Sequence, residues 1–287
     1  MTTRRIIVGT DGAESGKAAV RWAAREAQRR GAVLRIVHAF DWEWAEARYD
    51  YSGAVLDVAQ KTAQAITANA ADAAVAVAPG VFVETDTLLG RTSPRLLALA
   101  EDAQLMVLGN RGRGGFASLL LGSVSQHVAT HAACPVVVVR GRPDIDGGPV
   151  SAGVDDSPAA QVVLATAFEA AATLGADLKL IRTYLPPVPL WMYGAMPASE
   201  VATPEFDADE RERLNELVAP WTAKYPGVRV DTLLSHDSAA AVLAGVSHGS
   251  QLVVVGSHSH GGITGSVLGS TGLQLLHHAD CPVHIAR

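Results

Sequence analysis

The sequence contains an internal repeat, and this repeat limits the possible folds more than any other feature. The corresponding segments are 6–12 with 150–156, 34–37 with 178–181, 105–109 with 252–256, and 134–136 with 281–283. The segments follow one another in the same order in both halves of the chain. The sequence therefore predicts two copies of one domain, residues 1–140 and 149–287, joined by a linker at residues 141–148.

Each copy alternates short apolar strands with longer helical segments. In the first copy we expect strands at residues 5–8, 33–38, 81–87, 105–108 and 135–139, and helices at 18–30, 54–77, from 93 onward and at 122–132. Ser15 or a neighbouring residue is expected to cap the first helix, and Gly31 to end it. Because the strands show little period-two alternation, both faces of the sheet should be buried. The pattern predicts an α/β domain with a parallel sheet covered on both faces.

Composition restricts the class of protein and its partners. Hydrophobic residues make up 48% of the 287 residues, which is enough for sizeable cores. The formal net charge is −6 and no block of lysine or arginine stands out, which argues against nucleic acid as a partner. The longest apolar runs have the length of strands, which argues against a membrane span. We expect a cytoplasmic protein in which Cys134 and Cys281 are packing residues.

A glycine-rich loop follows the fourth strand of the first copy. Gly109 and Gly112 lie in this loop, and Gly122 precedes Ser123 at the start of the next helix. In an open α/β sheet, ligands bind at this carboxyl edge of the strands. Backbone N–H groups at a helix start favour an anion, and glycines let the backbone approach it closely. The side chains that would further suit phosphate are Ser123, Ser125, Arg111 and Arg113.

The spacing Gly109-x2-Gly112-x9-Gly122-Ser123 resembles the ATP-binding pattern of the universal stress protein family. Residues 8–12 and 134–139 are also similar to that family. The resemblance covers nearly the whole chain twice, as in the tandem universal stress proteins of actinobacteria. It implies two open five-stranded parallel sheets of the Rossmann-like, adenine nucleotide alpha hydrolase-like fold, with strand order 3-2-1-4-5. It also implies that ATP, with Mg²⁺, lies across strands one and four.

The resemblance also assigns the site residue by residue. It places Gly9, Thr10, Asp11 and Ala39 on the adenosine side, Leu108, Gly109 and Gly112 along the nucleotide, and Gly122, Ser123, Val124 and Ser125 at the phosphates. The matching residues of the second copy are Gly153, Val154, Asp155, Thr183, Val255, Gly256, Ser259, Gly269, Ser270 and Thr271. Asp11 has two interpretations: a partner of ribose hydroxyls or Mg²⁺, or a turn or helix-cap residue.

The second copy departs from the pattern at its glycine loop. Ser259 stands where the first copy has Gly112, and Gly272 stands where it has Ser125. If Gly112 requires a positive φ, a serine at that position would be strained. We therefore expect weaker nucleotide binding in the second copy. His258 and His260 replace Arg111 and Arg113, which suggests a phosphate contact that strengthens as the imidazoles protonate.

Three classes of function fit the sequence. The preferred one is an ATP-binding regulator of the stress response that acts through an unknown protein partner. A slow ATPase or phosphotransferase is second, although only Asp11 and Asp155 suggest a base, and Asp156 is interpreted as a turn or first-turn helix residue. A nucleotide-free interaction module is third. By resemblance the two domains would form a pseudo-dimer within one chain, and a homodimer is left open.

Overall fold

A computed structural model describes residues 5–41, 54–112, 120–145, 147–185, 204–257 and 268–287. The chain divides into two compact units: the first contains the residues up to Asp144, and the second contains most of the residues from Ile145 onward. Within the described ranges, no helix combines the length and the apolar character needed to cross a bilayer.

The first unit is an open α/β sheet with helices between its strands. Its elements are β1 (Arg5–Gly9), α1 (Glu14–Arg30), β2 (Val33–Phe40), α2 (Ala54–Val77), β3 (Phe82–Leu89), α3 (Thr92–Ala100), β4 (Leu105–Gly109), α4 (Ser123–His131) and β5 (Val136–Val139). The strands are parallel and lie in the order β3-β2-β1-β4-β5. The structure thus confirms the predicted α/β class and strand order.

Strands β2 and β3 of the first unit each continue two residues beyond their predicted ends. Strand β2 continues to Phe40 and β3 continues to Leu89, because parallel pairing extends from His38↔Thr87 to Phe40↔Leu89. Pairing between strands that are distant in sequence therefore sets these ends, and the local sequence pattern does not. Strands β4 and β5 are buried along their whole length, as expected for strands that are covered on both faces.

Helix α1 packs on the sheet through small side chains. Its C-terminal end agrees with the prediction, and its N-terminal end does not. It ends as predicted at Gly31, whose φ of 58° is the left-handed conformation that glycine adopts without strain. The start was predicted wrongly. The helix begins at Glu14, so that Ser15 lies inside it, and the preceding residue is Ala13, which has no side-chain oxygen for a cap. The Asp11 carboxylate instead accepts a hydrogen bond from the Ala13 N–H at 2.9 Å.

A buried carboxylate on α1 makes the stability of the first unit depend on pH. Glu26 is 5% exposed and lies 2.8 Å from Arg29 and 2.5 Å from Arg30. Burial by itself would raise the pKa of Glu26, but the charges of Arg30 and Arg29 outweigh it and hold the pKa below its usual value. A depressed pKa in the folded state stabilises the protein above the unfolded pKa of about 4.3, and this contribution is lost as pH falls through the folded pKa.

We therefore expect Glu26→Gln to lower the free energy of unfolding of the first unit at neutral pH. The difference from the unchanged protein should shrink as pH falls below about 4, because Glu26 then becomes protonated in both folded and unfolded states. Denaturant unfolding across this pH range measures the difference. A difference that stays constant with pH would contradict the assignment of the pH dependence to Glu26.

The second unit repeats the same architecture. Its elements are β6 (Val150–Gly153), α5 (Ala160–Leu174), β7 (Leu178–Thr183), α6 (Pro204–Lys224), β8 (Val230–Ser235), α7 (Ala239–Ser247), β9 (Leu252–Gly256), α8 (Ser270–His278) and β10 (Val283–Ala286). The strands are parallel in the order β8-β7-β6-β9-β10, which is again order 3-2-1-4-5. Helix α6 buries fewer side chains than α2: its buried residues among those described are Leu214 and Val218.

Candidate functional site

In the first unit, the end of β1 and the loop after β4 meet at the carboxyl edge of the sheet. One oxygen of Asp11 accepts the Ala13 N–H, which is the turn role considered for this residue. The other oxygen, Oδ2, lies 2.8 Å from the position that a Cβ on Gly112 would occupy. The turn holds the carboxylate in place while its second oxygen faces the glycine loop.

Gly112 is needed for close approach and not for its backbone conformation. Its φ is not among the positive glycine values of the described chain, so the expected strain at this position is wrong. A side chain here would instead collide with the Asp11 carboxylate. The physical cost of a larger residue is therefore steric and electrostatic, and Ser259, its counterpart, lies outside the described residues.

Gly109 fixes the loop against the first turn of α1. A Cβ on Gly109 would lie 2.5 Å from the carbonyl oxygen and 2.6 Å from the carbonyl carbon of Ser15. Real Cβ atoms do not approach backbone atoms this closely, so only glycine fits between β4 and α1. The Ser15 hydroxyl also donates a hydrogen bond to the Arg111 carbonyl. Helix α1 thus contacts the loop at two points, at Gly109 through the Ser15 backbone and at Arg111 through the Ser15 hydroxyl.

The start of α4 faces the same loop. A Cβ on Gly122 would lie 3.5 Å from the Arg111 Cα and 3.7 Å from the Gly112 nitrogen, which are ordinary contact distances. The Gly122 N–H donates to the Asn110 carbonyl at 2.7 Å. As the residue before the helix, Gly122 has no side chain that could cap the N–H groups of the first turn. These N–H groups and the helix dipole therefore favour an anion here.

Ser125 has a different role from the one expected of it. Its hydroxyl is buried and donates a 2.6 Å hydrogen bond to the Gly109 carbonyl. A hydroxyl has one hydrogen, so this bond leaves none to donate to a phosphate. In this structure Ser125 ties α4 to the end of β4, and Gly272 in the second unit cannot form the same bond.

The other predicted residues of the first unit lie around this edge at different depths. Gly9 contacts Leu108, whose methyl carbon would be 2.7 Å from a Cβ on Gly9. The Thr10 hydroxyl accepts the Gly12 N–H, and the Thr10 carbonyl lies 2.8 Å from His38 Nδ1. Ala39 lies on β2, Ser123 and Val124 lie in the first turn of α4, and Arg111 is exposed in the loop after β4. Arg113 lies outside the described residues.

In the second unit, most of the predicted residues surround one cleft of about 90 Å³ at the same edge of the sheet. The predicted residues that line it are Gly153, Val154, Asp155, Thr183, Val255, Gly256, Gly269 and Thr271. Ser270 begins α8 without lining the cleft, and His258, Ser259 and His260 lie outside the described residues. Asp155 repeats the turn of Asp11, because its carboxylate accepts the Ser157 N–H at 2.9 Å.

A larger cavity of about 600 Å³ shares Asp155, Thr183 and Thr271 with this cleft. Within it, the guanidinium of Arg182 lies 2.6 Å from both Asp156 and Glu210, and its side chain is only 4% exposed. Burial would lower the pKa of Arg182, but its hydrogen bonds to Asp156 and Glu210 outweigh burial and raise the pKa above its usual value. The group therefore stays charged.

A second polar contact joins the start of α6 to the end of β8. The Asp207 carboxylate accepts a hydrogen bond from the Tyr184 hydroxyl and lies 2.9 Å from His236 Nε2. The hydrogen bonds from Tyr184 and His236 lower the pKa of Asp207 below its usual value. Helix α6 is thus attached to its sheet by charged and polar contacts as well as by the buried Leu214 and Val218, whereas α2 buries several alanines.

This polar network is not among the features predicted from the sequence. The sequence pattern indicates only a turn or first-turn role for Asp156, and it gives no role to Arg182, which replaces His38 of the first copy. One signal was available: an arginine inside an otherwise buried strand must have an acidic partner. The sequence could not say that one partner, Glu210, comes from a helix that follows a long loop.

Comparison with known proteins agrees with this fold. The model of the universal stress protein family matches residues 2–140 and again 149–287. Two universal stress proteins of Mycobacterium tuberculosis are 32% and 33% identical to the chain, each over 98% of this chain and 96% of its own length. The crystal structure of a universal stress protein from Archaeoglobus fulgidus covers 100% of the chain and 97% of its own, with 18% identity and a TM-score of 0.71. The chain therefore belongs to the universal stress protein family, and it carries two matches to the family model in tandem.

Proposed function

We propose that this protein binds ATP in its first domain, and that bound nucleotide regulates its contact with a protein partner during stress. The observation that carries the proposal is the convergence of Asp11, Gly112 and Gly122 from three separate segments. The glycine backbone of the loop lies beside a helix start without a side-chain cap, and backbone N–H groups in such a place suit phosphate oxygens. The spacing of the glycines supports the same conclusion.

The Asp11 carboxylate supports a role for Mg²⁺ in the proposed site. Among the residues that the structure describes, no group of three or more His, Cys, Asp or Glu side chains is arranged to hold a metal ion. A magnesium ion bound here would therefore take most of its ligands from the nucleotide phosphates and water, as Mg²⁺ often does. Asp11 Oδ2, which faces the loop, would contact the ion or a ribose hydroxyl.

The proposed second-domain site binds nucleotide more weakly. Gly272 cannot make the hydrogen bond by which Ser125 fixes the glycine loop. The adjoining cavity adds the carboxylates of Asp156, Asp209 and Glu210, which repel a triphosphate. Two of these carboxylates are balanced by Arg182, so the repulsion is moderate.

Regulation is favoured over catalysis by the use of the polar groups in the first site. One oxygen of Asp11 is engaged in its turn and the other is assigned to Mg²⁺ or a ribose hydroxyl, while the Ser15 and Ser125 hydroxyls donate to backbone carbonyls. ATP hydrolysis requires a group that positions water for attack on a phosphate. Because these polar groups already have other partners, the site favours binding over hydrolysis. Nucleotide released from the purified protein separates the alternatives: retained ATP supports a regulator, ADP formed during incubation supports a slow ATPase, and no nucleotide supports an interaction module.

Gly122→Ala tests the site without disturbing the fold. The new methyl group would meet its neighbours at 3.5 Å or more, so the domain should fold normally. The methyl would lie between the helix start and the Gly112 nitrogen, where phosphate oxygens are expected. We expect affinity of the first domain for magnesium ATP to fall about tenfold or more, because a lost oxyanion contact costs several kcal/mol.

Isothermal titration calorimetry of the full chain measures this change. Gly80→Ala is the matched control, since its methyl would lie 3.7 Å from the Gln28 side chain and far from the loop. If the unchanged protein shows no binding at millimolar magnesium ATP, the proposed function is wrong. If it binds and Gly122→Ala binds equally well, nucleotide binding stands but the location of the site is wrong.

A further inference from the structure

Two histidines form a pair on the exposed face of α4, away from the proposed nucleotide site. His127 and His131 lie one helical turn apart and are both exposed. Their ring centroids are 4.4 Å apart and the ring planes are inclined by 37°. Residues four apart on a helix point to the same side, so the backbone itself keeps the two rings together.

The hydrogen bonding of His131 prepares it to act as a metal ligand. Its Nδ1 lies 2.9 Å from the backbone carbonyl oxygen of His127. A carbonyl oxygen can only accept, so Nδ1 carries the hydrogen, and in the neutral ring the lone pair is on Nε2. A metal-bound histidine characteristically donates its other ring N–H to a carbonyl or carboxylate in this way.

We propose that His127 and His131 bind one divalent transition-metal ion, with water completing its coordination. Two imidazole nitrogens at about 2.0 to 2.1 Å from one metal ion must lie roughly 3 Å apart, which rings at the observed spacing can reach. His131 ends α4, where the negative end of the helix dipole also favours a cation. Imidazole ligands suit Cu²⁺, Ni²⁺ and Zn²⁺ and do not suit Mg²⁺ or Ca²⁺.

This site is independent of the proposed nucleotide function. Within the described part of the chain no third His, Cys, Asp or Glu completes a three-ligand group, so the ion stays open to solvent. Two ligands give a site of modest affinity that responds to the concentration of free metal. Its effect on the protein would be to brace the last turn of α4, which ends at His131.

The second domain supplies a natural control within the same chain. In α8 the positions that correspond to His127 and His131 are Gln274 and His278. A single difference, Gln274 in place of histidine, therefore removes the pair from that helix. Replacing His127 with glutamine copies the second domain, and replacing Gln274 with histidine copies the first.

The experiment titrates the metal-free full chain with Ni²⁺ alone at about pH 7.5, where imidazole is neutral. We expect one binding event to disappear, or to weaken about tenfold or more, in His127→Gln. Gln274→His should gain one binding event. Mg²⁺ should produce no signal at the pair. Hydrogen exchange in residues 123–131 should slow with Ni²⁺ in the unchanged protein and in Gln274→His, and should not slow in His127→Gln.

Other histidines of the chain can also bind Ni²⁺, so the comparison between variants decides the result. Unchanged titrations in both His127→Gln and Gln274→His would overturn the proposal. Both substituted positions lie on helices whose remaining contacts are unaffected, and thermal unfolding without metal should confirm that the variants fold. Loss of Ni²⁺ binding in a folded His127→Gln protein would support it.

Discussion

Replacing Gly109 with alanine should destabilise the first domain by about 2 to 3 kcal/mol and remove its nucleotide binding. The new Cβ would lie 2.5 Å from the Ser15 carbonyl oxygen and 3.0 Å from the Gly16 nitrogen. Both are backbone atoms in the first turn of α1, so no side-chain rotation relieves the contact. Either α1 or the end of β4 must move, and the loop that carries Gly112 moves with it.

Denaturant unfolding followed by hydrogen exchange in peptides of each domain measures this effect. Gly80→Ala is the control, because its methyl meets only the Gln28 side chain at ordinary distances. Peptides of the second domain should keep their stability and provide an internal reference. An alanine at position 109 that costs no more than the one at position 80 would show that β4 and α1 are not held together as described.

The second large effect is expected in the other domain, where Glu210→Ala should cost about 3 kcal/mol. Glu210 is the partner of the Arg182 Nε, and its side chain is 12% exposed. Without Glu210, the Arg182 side chain, which is only 4% exposed, keeps Asp156 as its ion-pair partner among the described residues. A buried charge that loses a partner cannot recover the lost interaction from water.

Hydrogen exchange should show where this stability is lost. We expect exchange to accelerate in α6, residues 204–224, because Glu210 and Asp207 attach that helix to the sheet. Helix α2 of the first domain should keep its exchange rates. Arg213→Ala is the matched control: it removes a 65% exposed arginine that bonds the same carboxylate, and should change stability by about 0.5 kcal/mol or less. Equal effects of the two substitutions would contradict the importance assigned to Arg182.

Features with a local cause were predictable from the sequence. Gly31 ends α1 because a left-handed residue at a helix end favours glycine wherever the helix lies. The run of valines in β5 indicates a strand covered on both faces, because an uninterrupted apolar run is visible in the local sequence. The loop from Gly109 to Gly112 and the helix start at Gly122 were also recognisable, because the spacing of glycines is itself the signal.

The roles of individual polar atoms were less predictable. Ser125 was expected to donate to phosphate, yet its hydrogen goes to the Gly109 carbonyl. Ser15 was expected to cap α1, yet it lies inside the helix and donates to Arg111. In both cases a backbone carbonyl from another segment competes for the hydroxyl. Hydroxyl groups donate to whichever acceptor the fold brings near, and the spacing of residues along the chain does not reveal which acceptor that is.

By itself the sequence determined a doubled α/β domain and a glycine loop at the edge where ligands bind, because periodicity and repeat spacing follow from local backbone geometry. Only the tertiary structure decided why Gly112 must be small, since the Asp11 carboxylate that excludes a side chain lies in the turn after β1, far from Gly112 in sequence. The same holds for Arg182, whose partners lie on a distant turn and a distant helix. Contacts between residues far apart in sequence depend on the packing of whole elements, which no local pattern specifies.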